Sequence, residues 1–147
     1  MNSDEKALEF LGKAITKAKE SLERDLTFRP FLMTIDSDGI FKSVENRAKS
    51  DANSYSLLED SLSQRVEESQ IDMLIIATRV DMPQRFSQED GSNSIRIHLE
   101  ERSQLSHKIS ARFLYIPYII YHTEDEDSFY VKLGKPVPVG FPAIYLL

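Results

Sequence analysis

The chain has 147 residues, no cysteine, a formal net charge of −6 and 41% hydrophobic residues. That length suits one domain able to bury roughly two-thirds of its unfolded surface, so neither a disulfide nor a structural metal is needed for folding. The missing thiols exclude disulfides, thiol catalysis and thiolate metal sites, and an acidic balance without a basic stripe argues against nucleic acid and anionic membranes as partners.

The first segment, Ser3 to about Arg24, repeats Leu8, Leu11, Ile15, Ala18 and Leu22 at spacings of three and four. This is an amphipathic helix with one apolar stripe, expected to pack on a sheet. Pro30 closes that region. Phe31–Ile35 and Ile40–Val44 alternate as strands about Asp36-Ser37-Asp38-Gly39, a hairpin turn. The same four residues resemble the opening of a calcium loop, but glycine stands at position 4 and an EF-hand requires it at position 6. A second helix, about Asn53 to Ser69, carries Tyr55, Leu58, Leu62 and Val66. Ser50, Asp51, Asn53 and Ser54 are all chemically able to cap its start.

Ile71 to Val80 is apolar at both parities, the mark of a central strand covered on two faces. After a polar loop at 84–94, Ile95, Ile97 and Leu99 alternate with Arg96, His98 and Glu100, as in a strand with one buried face. Ile109–His122 is a long aromatic strand containing Pro117, which places it at an edge or demands a bulge there. The acidic run 124–127 precedes a short strand, Phe129–Leu133. Residues 136–147 carry no charge and contain Pro136, Pro138 and Pro142.

These elements predict an α+β single domain over 1–147 in the order α-β-β-α-β-β-β, with the short Phe129–Leu133 segment as one more strand beyond it. A mixed sheet of about five strands, in the order 2-1-3-4-5 rather than 2-1-5-4-3, carries two helices and an apolar C-terminal arm at 136–147. No span reaches the ~18–20 apolar residues needed to cross a membrane, and no secretory signal pattern is present, so a cytoplasmic location is expected.

Candidate chemistry centres on Arg96, His98, Glu100 and Arg102, spaced by two so that their side chains share one sheet face. This stripe is the expected ligand-binding face, with the 84–94 loop as a lid. His98-Leu99-Glu100 resembles the H-x-E half of the zinc nucleoside and base deaminases. Those enzymes also need paired cysteines, absent here, so the activity does not carry over. No H-E-x-x-H, G-x-S-x-G or glycine-rich phosphate loop occurs, so no catalytic residue, metal site or cofactor is assigned.

The C-terminal quarter is instead rich in contact-forming residues. Both parities of the 109–122 strand are apolar, and Phe141, Ile144, Tyr145 and Leu146 follow in the tail. Phe113, Tyr115, Tyr118 and Tyr121, with those four tail residues, form the expected interface of a homodimer, since tyrosine buries a ring while keeping its hydroxyl wet. The sequence therefore points to a non-catalytic protein-interaction or ligand-sensing module. Two alternatives accompany it: an acidic inhibitor or immunity-type protein with a basic partner, and an enzyme using the 96–102 stripe.

Overall fold

The computed structural model describes residues 3–68, 70–83, 85, 93–124 and 128–146. Helix α1 spans Ser3–Asp25, and strands β1 (Phe31–Asp36) and β2 (Phe41–Val44) follow. After helix α2 (Asp51–Glu68) come β3 (Ile71–Asp81), β4 (Asn93–Glu101), β5 (Ala111–His122), β6 (Phe129–Leu133) and β7 (Val137–Phe141). The strands form one antiparallel sheet in the order β2-β1-β3-β4-β5-β6, with β7 also paired to β5. The predicted 2-1-3-4-5 order holds. The sheet has seven strands rather than about five, and every pairing is antiparallel rather than mixed.

Each helix covers one face. The α1 face buries Phe10, Ala14, Ala18 and Leu22 against Met33, Ile75, Ile97 and Ile116. The apolar stripe is thus rotated from the predicted one, because Phe10 supplies the largest anchor and Leu8 is left 69% exposed. Two overlapping stripes exist in this helix, and the one holding the larger ring is buried. On the other face Leu58 and Leu62 of α2 meet Leu32, Leu74 and Ile76. The start of α2 is capped by Ser50, whose Oγ accepts from the Asn53 N–H at 3.1 Å, satisfying one of the open donors of the first turn.

The β1–β2 turn uses its own acid. Asp36 Oδ1 accepts from the N–H groups of Asp38 and Ile40 at 3.0 and 2.9 Å, and Gly39 has φ +81°. The carboxylate therefore closes a tight turn that the glycine makes accessible.

β5 is where the topology departs most from expectation. It is not an edge strand: β6 pairs with its C-terminal half and β7 with its N-terminal half, end to end along the same side. Tyr118 pairs with Leu133 and Tyr115 with Val137, so two residues of β5, Ile116 and Pro117, face three, Gly134, Lys135 and Pro136. That is a bulge opposite the proline. Pro117 O accepts from the Gly134 N–H at 2.7 Å. The donor that Pro117 lacks would have pointed to the same side, into the break between β6 and β7. Gly134 is required there because a Cβ would stand 2.8 Å from Pro117 Cγ.

The extra residue reverses the parity of the outer strand. Before it, Val131 and Leu133 face the α1 side. After it, Phe141 faces the α2 side, its ring 5.2 Å from that of His98 and 4.7 Å from that of Phe113. A bulge thus delivers the C-terminal segment onto the face that carries His98 and Glu100.

Candidate functional site

The predicted stripe lies on the α2 side of β4 and β5, but it is not an open face. His98 is 1% exposed and Glu100 is fully buried. The lid of the expected ligand site, residues 84–94, lies largely outside the described residues (84 and 86–92). What covers the stripe is the C-terminal segment. Glu100 accepts hydrogen bonds from three consecutive backbone N–H groups: Ile144 at 3.0 Å, Tyr145 at 3.1 Å and Leu146 at 2.9 Å. His98 Nε2 lies 2.6 Å from Glu100 Oε2. An ionised carboxylate only accepts, so Nε2 carries the hydrogen of this bond.

Burial works against the charge on Glu100. The bond from His98 and those from the N–H groups of Leu146 and Ile144 outweigh it and hold the carboxyl below the ordinary glutamate range. Charge-assisted bonds of this type stand at roughly twice the strength of neutral ones. Around the clasp, the Tyr145 ring lies 5.0 Å from His98, and its hydroxyl donates to Glu59 Oε2 on α2 at 2.6 Å. Burial raises the Tyr145 phenol, and the Glu59 carboxylate that accepts from it adds to the rise. Tyr55 is also raised by burial, against the lowering influence of Arg96.

The four stripe residues have separate fates. His98 and Glu100 hold the segment. The Arg96 guanidinium carbon lies 4.5 Å from the centre of the Phe113 ring and 5.5 Å from that of Tyr55, a pair of cation–π contacts. Its Nε is buried without a hydrogen-bond partner. Arg102 lies just past the end of β4, where its Nε donates to Ile71 O at the start of β3 at 2.9 Å. The alternation in β4 misled because polar residues at one parity read as a wet face, whereas here the donors that satisfy Glu100 arrive from residues 44 to 46 positions downstream.

The eight predicted contact residues also divide. Leu146, Tyr118 and Tyr115 are buried, and Phe113, Phe141 and Tyr145 are half-buried within the chain's own fold. Tyr121 and Ile144 are exposed. On the α2 side, the C-terminal half of β5 and its neighbour β6 carry Ile119 (56% exposed), Tyr121 (37%) and Tyr130 (48%). The two tyrosine rings stack 5.1 Å apart with their planes at 16°. Helix α2 packs on β1 and β3, and the C-terminal segment covers only the half of β5 near Glu100. Ile119 shares the parity of Phe113, Tyr115 and Tyr121 in the sequence, whereas Tyr130, which alternates out of phase with the buried Val131, was not among the expected contact residues.

His107 and His122 are exposed, His107 in the turn between β4 and β5 and His122 at the far end of β5, where its ring packs on Phe129 at 4.5 Å. Among the described residues no three His, Asp or Glu side chains gather as a metal site, and no helix is long and apolar enough to cross a membrane. Comparisons with protein-family models, curated proteins and solved structures gave no match.

Proposed function

We propose that this chain is a non-catalytic interaction module that self-associates through the α2-side surface of β5 and β6, centred on Ile119, Tyr121 and Tyr130. The observation that carries this reading is the exposed, stacked Tyr121–Tyr130 pair beside the exposed Ile119. Large apolar side chains gathered on an open sheet flank favour a partner. A second copy suits it best. Exposed Lys132 pairs in register with Ile119 at one end of the patch, and exposed Glu124 stands beyond His122 at the other. A two-fold axis through the patch sets base against acid in both copies.

The tail contributes to this interface only indirectly, since its apolar residues are largely spent on the chain's own sheet. The same clasp weakens the alternative of a ligand site on the 96–102 stripe, because His98 and Glu100 are already engaged. Light scattering coupled to size exclusion tests the proposal. The expected result is a dimer that Tyr121→Ser/Tyr130→Ser converts to a monomer that keeps its folded circular dichroism spectrum and no longer melts in a concentration-dependent way. A parent protein that stays monomeric at hundreds of micromolar sinks it.

A further inference from the structure

A second feature lies on the opposite, α1 side of the sheet. Glu101 continues the core-facing alternation Ile95, Ile97, Leu99 and is only 4% exposed. Among the described residues its single hydrogen-bond donor is Arg112 Nη2 at 3.1 Å, from a side chain that is 51% exposed. A carboxylate offers about four acceptor positions, and the bond from Arg112 takes one of them. Glu101 borders a groove of about 410 Å³ between the first turns of α1 and the β4–β5–β7 corner. Leu8, Leu11, Leu114 and Pro138 form its apolar walls, and Asp4 and Arg112 stand with Glu101 as its charged groups.

We infer that this groove binds a cationic amphiphile, a primary alkylammonium whose head meets Glu101 and Asp4 and whose chain lies along Leu8, Leu11, Leu114 and Pro138. The size falls within the roughly 300–1,000 Å³ of small-molecule sites. The charges decide the sign of the head group. Among the described residues that line it, two carboxylates against one guanidinium leave the groove net negative, and the guanidinium is already bonded to Glu101. An ammonium fills acceptor positions that Arg112 leaves open. A carboxylate head has to face two like charges and compete for that arginine.

Isothermal titration of the intact chain with dodecylammonium chloride, below its micelle concentration, tests the inference, with dodecanoate as the anionic counterpart. The expected result is saturable 1:1 binding of the amine, at least about tenfold tighter than of the carboxylate. Glu101→Gln is expected to erase that preference. Leu8→Trp, at a highly exposed position that tolerates a larger side chain, is expected to obstruct the groove and weaken both probes. Absence of amine binding overturns the inference, as does equal affinity for the two probes. So does amine binding that a folded Leu8→Trp chain leaves untouched, because the site then lies elsewhere. If Glu101→Gln does not fold, the Leu8→Trp result and the amine-to-carboxylate ratio still decide the matter.

Discussion

The two halves of β5 carry the same kind of residue at the same parity, yet one half is closed and the other bare. Phe113 and Tyr115 in the N-terminal half are covered, with Arg96 and Phe141 over Phe113. Ile119 and Tyr121 in the C-terminal half face outward on the same side. Aromatic content does not distinguish them. The difference comes from the outer strand, which is in phase with the α1 side along β6 and, after its bulge, sends Phe141 and the tail to the α2 side along β7. Burial here is decided by one extra residue opposite a proline.

The strongest way to break the comparison is to release the closed half. Glu100→Ala leaves three backbone N–H groups and His98 without their acceptor, and loss of one partner from a buried charged network costs about 3–5 kcal/mol. The measurement is denaturant unfolding, and a loss under about 1 kcal/mol shows that the clasp contributes little. The pH dependence has a fixed sign. The folded-state pKa of Glu100 lies below its ordinary value of 4.5, so its contribution is present above about pH 4.5 and is lost as the pH falls through the folded value. Glu100→Gln is expected to flatten that acid limb of the stability curve.

A smaller and more local perturbation acts on the bulge itself. Gly134→Ala places a methyl 2.8 Å from Pro117 Cγ, an atom of a stiff ring, and the forced shift is expected to cost about 1–3 kcal/mol. If the bulge directs the tail, hydrogen exchange at Ile144, Tyr145 and Leu146 rises in this variant more than at β3. Uniform loss of protection across the sheet instead means that the bulge is only a general packing site.

Much of this architecture was legible in local pattern. β3 reads as central because it is apolar on both faces, and it lies between β1 and β4. Pro117 reads as a point where a ladder fails, and the failure appears as a bulge in its neighbour. What local pattern cannot carry is phase across a bulge. Residues 137–141 alternate as a strand in either phase, and only the pairing with β5 sets Phe141 on the His98 side. The status of Glu100 follows from that choice, since its donors come from beyond the bulge. Glu101 was visible as an acid at a core-facing position of β4, but its groove requires the rotation of α1 that Phe10 imposes.

The smallest expected effect sharpens the bare half. β6 ends the sheet, and its middle N–H is already taken: Val131 donates to Glu23 Oε2 of α1 at 2.8 Å. A side chain reaching over from the helix thus occupies a donor that a further strand would need, one of the ways sheets avoid edge-to-edge growth. The dimer proposed above uses the face of β5–β6 and leaves this edge alone. Glu23→Ala is therefore expected to cost about 1 kcal/mol or less, the net value of one hydrogen bond whose donor can turn to water. Its clearer consequence concerns assembly. Light scattering is expected to show species larger than a dimer in Glu23→Ala, and the added double substitution Tyr121→Ser/Tyr130→Ser is expected to leave that edge-driven growth in place. If the tyrosine substitutions abolish it, edge and face form a single surface, and the closed and bare halves of β5 differ in more than the phase of their neighbour.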